Sequence, residues 1–370
     1  MYAYVRRLLF GLDPERAHHL GLGAARLAQA VTPALVDPLF AYEHARLRQT
    51  VWGLDLPNPV GLAAGFDKNA RLIPFWKHVG FGFAEVGSVS ARRSKGNPRP
   101  RAFRLPEDRA LINRMGLNND GAERIARRLR KVVGANGAKS PLPLGINLAK
   151  THDPAIMGEA AVEDFRQSFR LLAPMAGYIA LNISCPNTAE GKTFEDPDAL
   201  DALLAALFAE RKAMGLLVPI LLKLSPPETE KVVYDSRVEE IVAIGRAHGV
   251  HGYIATNTAS DRQGLRTDAA RLKAIGPGGL SGAPLAPRAT RLLRYLYRLT
   301  EGRVPLIGVG GIASAQDAYE RLRSGATLVQ LYTGLVYEGP GLVKRIKEGL
   351  VRLLEQDGYG AVRDIIGLDA

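Results

Sequence analysis

The sequence predicts an α/β fold, a (β/α)8 barrel (TIM barrel) with a small N-terminal helical extension. Three observations predict it. From about residue 47, eight short apolar, β-branched or glycine-punctuated runs alternate with helical patterns. No linker interrupts that alternation. Polar residues also gather just after the apolar runs, which in a barrel is the C-terminal face where its chemistry sits. A doubly wound sheet fits eight such regular units less well. Residues 1–46 are expected to form the extension and residues 47–370 the barrel.

In the extension, Tyr4 to Phe10 is a short amphipathic segment. Asp13-Pro14-Glu15 then reads as an N-cap, an N1 proline and a first-turn acid. The helix it opens sets Ala17, Leu20, Ala24, Leu27, Ala28 and Val31 three and four residues apart, with Arg6, Arg7, Arg16 and Arg26 alongside. Such a basic helical pair either caps the barrel or lies in a membrane interface, where apolar faces and arginines both find partners. Thr50 to Pro57 reads as a hairpin plugging one barrel end. The eight runs are 60–65, 83–89, 144–148, 178–183, 218–224, 252–256, 305–309 and 328–332. Helical patterns cover 122–133, 163–172, 197–208, 238–247 and 342–354, and a further helix opens at Ser314 with Asp317 three residues on. Gly249 is a C-cap signal for the fourth of these.

Composition narrows the function classes. A hydrophobic content of 46% with 39 Gly and 23 Pro suits a loop-rich enzyme and excludes a disordered or fibrous chain. One cysteine excludes an intramolecular disulfide and fits a reducing compartment. The net charge of +12 calls for an anionic partner. The basic loop Arg92, Arg93, Lys95, Arg99, Arg101 and Arg104 lacks the aromatic interleaving of a nucleic-acid surface, so no nucleic acid is expected. Acidic lipid headgroups, or plain solvation, suit it better. No apolar run approaches the ~20 residues that span a bilayer, and Arg6-Arg7 interrupt the N-terminal segment, so it does not read as a signal peptide. No metal site is expected.

The residues after each strand form one list. The first strand ends in Ala64-Gly65-Phe66-Asp67-Lys68-Asn69 and the second in Gly87-Ser88, and the long second loop holds Asn113-Arg114-Met115-Gly116. The third strand ends at Asn147, the fourth in Asn182-Ile183-Ser184-Cys185-Pro186-Asn187-Thr188, and the fifth at Lys223. Thr256-Asn257-Thr258 follow the sixth, and a glycine-rich turn, Gly278-Gly279-Leu280-Ser281-Gly282, lies in the next loop. The seventh ends in Gly308-Val309-Gly310-Gly311 and the eighth in Tyr332-Thr333-Gly334. Glycines in the last two loops match the phosphate site of many barrels. Five asparagines (113, 147, 182, 187 and 257) with two lysines suit a planar, carbonyl-rich ligand, because carboxamides donate and accept at once.

These blocks, with Gly96-Asn97-Pro98-Arg99-Pro100-Arg101 and Ile254-Ala255-Thr256-Asn257-Thr258, resemble those of the dihydroorotate dehydrogenase family over nearly the whole chain. Leu12-Asp13-Pro14-Glu15 and His18 resemble its quinone-linked, membrane-associated class. The resemblance implies oxidation of (S)-dihydroorotate to orotate on FMN, with a quinone as final acceptor, in de novo pyrimidine (UMP) biosynthesis. It assigns FMN to Ala64, Gly65, Phe66, Asp67, Lys68, Ser88, Asn147, Asn182, Lys223, Thr256, Gly282, Gly311, Tyr332 and Thr333. It assigns the substrate to Lys68, Asn113, Asn182, Asn187, Asn257 and Thr258, with Arg114, Met115, Gly116 and Leu117 lining the pocket through backbone. His18, Arg104 and Tyr332 fall in the quinone tunnel. Cys185 is the implied base for the substrate C5 proton, where the quinone-linked class usually has serine and cysteine is typical of the soluble class. A soluble acceptor (fumarate or NAD), or another FMN-dependent barrel oxidoreductase, is the alternative. The class further implies peripheral attachment of the N-terminal helices to the cytoplasmic side of the inner membrane, with no obligate protein partner.

Overall fold

The computed structural model describes residues 2–31, 33–184, 193–227 and 235–370. Three helices come first: α1 Tyr2–Phe10, α2 Pro14–Val31 and α3 Pro33–Phe40. The Asp13 carboxylate caps α2 by accepting from the Glu15 and Arg16 amides at 3.1 and 3.0 Å. An antiparallel hairpin follows, β1 Gln49–Val51 and β2 Leu54–Leu56. Its Val51 and Leu56 join the barrel's inner cluster, and Trp52 packs against Tyr178.

Eight parallel strands then close the barrel: β3 Val60–Leu62, β4 Phe83–Val89, β7 Leu144–Leu148, β8 Tyr178–Asn182, β9 Ile220–Leu224, β10 Gly252–Ala255, β12 Leu306–Val309 and β13 Leu328–Leu331. The remaining strands, β5 Ala102–Leu105, β6 Ala110–Asn113 and β11 Gly279–Gly282, form a separate antiparallel sheet in the order β11-β6-β5. Helices α4 Ile73–His78, α5 Ala122–Val133, α6 Gly158–Leu172, α7 Pro197–Ala213, α8 Ser236–His248, α9 Ala269–Ile275, α10 Ala286–Leu299, α11 Ala315–Arg323, α12 Thr333–Glu338 and α13 Leu342–Gln356 complete the chain.

Strands buried on both faces read as near-continuous apolar runs, and the period of two decides which side each residue meets. Ile179, Leu181, Ile220 and Leu222 join the outer core against the helices, whereas Phe83, Tyr178, Ala180, Leu221, Ile254, Ile307 and Leu328 join the inner one. Glu85, Asn182, Lys223 and Gln330 share the inner parity, so the alternation that builds the core also points polar groups into the barrel.

All eight expected strands are present, with ends shifted by at most three residues. The first is shorter than expected because Gly65, at φ 96, turns the chain after Leu62. Four helices are longer than their apolar spacing suggested, since α6 begins at Gly158, α7 runs to Ala213, α8 spans Ser236–His248 and α13 runs to Gln356. Gly249 closes α8 in the left-handed region, and the Ser314 hydroxyl caps α11 by accepting from the Asp317 amide, both as expected. The glycine-rich turn at 278–282 is a correction. Gly279–Gly282 is a strand paired residue by residue with Ala110–Asn113; a Cβ at Gly282 would collide with the Arg109 carbonyl and the Ala110 backbone, so glycine lets the two backbones meet there.

Candidate active site

The site lies where these strands end. A cleft of about 150 Å³ is lined by Ala64, Gly65, Lys68, Ser88, Asn182 and Lys223 on one side. Thr256, Asn257, Thr258, Gly282, Gly311 and Thr333 line the other side. A chain of carboxamides crosses its floor. Asn257 Nδ2 donates to Asn182 Oδ1 at 3.1 Å and to the Ser184 carbonyl at 2.8 Å. Asn182 Nδ2 donates to Ser88 Oγ at 3.2 Å, Ser88 Oγ to Asn147 Oδ1, and Asn147 Nδ2 to Glu85 Oε1 at 2.9 Å. Each amide is thereby fixed in one orientation.

Beneath that chain sits a buried charge pair. Glu85 is fully buried and takes hydrogen bonds from Tyr178 Oη at 2.9 Å and Gln330 Nε2 at 2.8 Å. Lys223 Nζ stands 4.0 Å from it. Burial lowers the Lys223 pKa and the Glu85 charge opposes that shift.

A second, larger cavity of about 570 Å³ lies between α1, α2 and the barrel. Leu9, Phe10, Ala17, Leu22, Ala25 and Ala28 line it from the helices, and Phe66, Trp76 and Tyr332 from the barrel. The two spaces share Gly65, Lys68, Asn113, Met115, Ser281 and Tyr332 as walls. Rings stack edge-on along the boundary: His18 to Phe66 at 5.0 Å, Phe66 to Tyr332 at 5.3 Å. His18 Nε2 lies 3.0 Å from the Phe66 carbonyl, and burial pushes the imidazole down to about 4. It is neutral at physiological pH, so Nε2–H donates to that carbonyl. Tyr332 is pushed up to about 12 by burial and stays a neutral phenol. Arg104 spans the mouth, its guanidinium 4.7 Å from the Phe10 ring centroid and donating to the Leu12 carbonyl at 2.8 Å.

Most sequence-expected residues therefore converge on one cleft or its neighbour. Four of those assigned to cofactor or substrate lie outside the cleft itself. Asp67 is 1% exposed, and its carboxylate accepts from the Arg71 and Leu72 amides and from Trp76 Nε1, so it anchors the loop and does not face the cleft. Phe66 faces the large cavity. Asn147 lies one layer below the cleft, behind Ser88. The Arg114 side chain turns away to the Ile275 and Pro100 carbonyls and over the Phe103 ring, while Met115, Gly116 and Leu117 line the cleft. Cys185 and Asn187 lie outside the described residues. The sequence reading missed Glu85, Tyr178, Gln330, Ser281 and Asn118, which accepts from Lys68 Nζ at 2.6 Å. A lone polar residue inside an apolar strand was the available signal for Glu85 and Gln330.

The donor set fits a flavin mononucleotide. Gln330 Oε1 is buried without a partner among the described residues, on a wall that already carries a lysine and fixed carboxamides. Gly310 and Gly311, at φ 110 and 77, curve just beyond Val309, which pairs with Gln330 across β12 and β13. A Cβ on Gly311 would collide with Ala286, so the corner admits backbone only.

Comparison with known proteins agrees with this geometry. The profile of a family described as "Dihydroorotate dehydrogenase" matches residues 46–354. A protein of Roseiflexus sp. (strain RS-1) named "Dihydroorotate dehydrogenase (quinone)" is 45% identical over 370 residues, covering 100% of this chain and 98% of its own length. One of the same name from Thermus thermophilus is 44% identical over 363 residues, 98% of this chain and 99% of its own. Among solved structures, ligand-free DHODH from Eimeria tenella superposes with a TM-score of 0.83 at 33% identity, covering 96% of this chain and 99% of that one. The ferulenol complex from the same organism gives 0.80 at 32% identity, covering 93% and 95%.

Proposed function

The chain belongs to the dihydroorotate dehydrogenase family, and on that premise we propose that it oxidises (S)-dihydroorotate to orotate on FMN and delivers the electrons to a quinone, a step of pyrimidine biosynthesis. One observation carries this reading: a cleft of carboxamides and lysines shares the Tyr332 wall with a large apolar cavity. FMN, when bound, would supply the hydride acceptor opposite substrate C6 and the electron carrier between substrate and quinone.

The chain's own residues do the rest. Lys68, Asn113, Asn182, Asn257 and Thr258, with Asn187, meet the substrate carboxylate and ring amides with a cation and fixed donors. Cys185 removes the proton from C5. Lys223 holds a positive charge at the floor, where negative charge develops during reduction, and fixed charge so aimed is usually the largest catalytic contribution. Glu85 helps to keep that ammonium protonated. Gly282, Gly311 and Thr333 receive the cofactor phosphate.

The quinone enters through the cavity between α1 and α2, past Arg104 and His18, toward Tyr332. Residues 1–46 thus act as the acceptor's entry and membrane-facing unit, and residues 47–370 as the FMN barrel. Exposed Tyr4, Leu8, Leu20, Leu27 and Leu39 support docking on a membrane surface. No helix among the described residues is long and apolar enough to cross a membrane. We place the protein peripherally on the cytoplasmic side of the inner membrane. Cysteine at 185 is the one feature that favours a soluble acceptor instead.

Anaerobic addition of dihydroorotate to the purified yellow protein tests the reading. Bleaching of the flavin, with orotate perturbing its oxidised spectrum, is expected. A spectrum that neither compound changes overturns it.

A further inference from the structure

Behind the glycine corner lies a cation that none of the steps above uses. Arg321, on α11, is 2% exposed and forms no ion pair among the described residues. Its Nη2 donates to the Gly310 carbonyl at 3.0 Å and reaches the Ala286 carbonyl at 3.4 Å. Its Nε and Nη1 are buried with no partner among the described residues. The aliphatic part of the side chain packs beneath Gly308, where a Cβ would displace it. Burial lowers its pKa only to about 10, so the guanidinium is charged at neutral pH. Asp317 and Glu320 act on it only at a distance, and Asp317 is engaged with the Ala313 amide.

A cation buried with two idle donors is costly to the fold unless something compensates it. The two carbonyls it holds belong to the two walls of the corner, Gly310 at the end of β12 and Ala286 at the start of α10. In a trans peptide the C=O and the following N–H point in opposite directions. Holding the Gly310 carbonyl from behind therefore turns the Gly311 N–H to the other side, where Gly310 and Gly311 line the cleft.

We propose that Arg321 is a positioning residue for the cofactor phosphate. It orients the Gly310–Gly311 peptide and the Ala286 wall, and it places a buried positive charge behind the corner to match the dianion in front. It does not touch the phosphate. This inference rests on the FMN reading above.

Riboflavin, which lacks the phosphate, separates this role from mere packing. Flavin affinity is measured by fluorescence on the full chain reconstituted with FMN or with riboflavin, for wild type, Arg321→Met and Arg321→Lys. Arg321→Met is expected to weaken FMN at least about tenfold, the worth of a charge-assisted hydrogen bond, and to leave riboflavin within about twofold. Arg321→Lys, which keeps the charge but cannot hold both carbonyls, falls between. Equal weakening of both flavins, or no weakening of FMN, overturns the proposal. If Arg321→Met does not fold, Arg321→Lys decides alone: selective loss of FMN supports the proposal and unchanged affinity for both flavins overturns it. A wild type that binds neither flavin overturns the FMN reading itself, and this inference with it.

Discussion

Lys223 and Glu85 show how residue-scale chemistry was only half visible in the chain. Lys223 was legible as the one charged residue near the end of its apolar run, and the asparagines were legible in their strand-end blocks. Glu85 and Gln330 were not, because a single polar residue inside such a run gains meaning only when the closed barrel stacks the inner parities in one layer. Gly279–Gly282 hid for a related reason: its pairing with Ala110–Asn113 joins segments far apart in the chain. Cys185 bears the residue-scale prediction. A thiol, with a reference pKa of ~8.5, reaches its deprotonated, proton-accepting form far more readily near neutral pH than an unactivated hydroxyl, and is the stronger candidate base. Cys185→Ser should move the base-limited limb of flavin reduction by dihydroorotate to higher pH, as read by stopped flow. An unmoved profile would remove Cys185 as the base.

At the scale of elements, α2 carries two groups that tie the extension to the barrel. Glu15 is 7% exposed and receives Arg101 at 2.7 Å and Arg99 at 3.0 Å, which hold its carboxyl down to about 2 against the penalty of burial. Arg101 also donates to the Lys95 and Asn97 carbonyls, and Asn97 Nδ2 to the Arg114 carbonyl, so the same contacts reach the loop that lines the cleft. The Glu15 pKa is depressed, so its stabilisation is fully present above its ordinary value of 4.5 and is lost as pH falls toward 2. His18 is also depressed, from 6.5 to about 4. A histidine held neutral contributes fully above pH 6.5, and that contribution is lost as pH falls toward 4. Attachment of α2 should therefore weaken in two stages on acidification. Amide hydrogen exchange across α2 should show faster opening from pH 6.5 to 4 and again below 4.5, and flat exchange over both windows would refute this. Glu15→Gln should cost about 2–3 kcal/mol in denaturant unfolding at neutral pH, because Arg101 is left buried without its counter-charge. A loss below about 0.5 kcal/mol would show that the pair merely decorates the surface.

For the whole molecule, the barrel was legible from its alternation, but the cavity was not. The cavity exists only because α1 and α2 are held off the barrel, one side facing Phe66 and Tyr332 and the other leaving Tyr4, Leu8, Leu20 and Leu27 exposed at 73, 77, 58 and 68%. The barrel-cap reading of the extension describes the face that meets Phe66 and Tyr332; the membrane-interface reading concerns the exposed face and is open to test. Replacing Leu8, Leu20 and Leu27 together by Glu should lower partition onto lipid vesicles at least about tenfold, measured by co-sedimentation, with flavin reduction unchanged; undiminished partition would contradict the membrane-facing assignment. The central claim is that reduction and reoxidation happen on opposite sides of one wall. Double-mixing stopped flow tests it most directly. Wild type and Ala28→Trp, which fills the large cavity, are reduced anaerobically with dihydroorotate and then mixed with a short-chain quinone, fumarate or NAD. The account predicts equal reduction rates in both proteins, rapid reoxidation of wild type by quinone alone, and reoxidation slowed at least about tenfold in Ala28→Trp. Equal quinone reoxidation in the two proteins, or reoxidation of wild type as fast with fumarate or NAD, would contradict it.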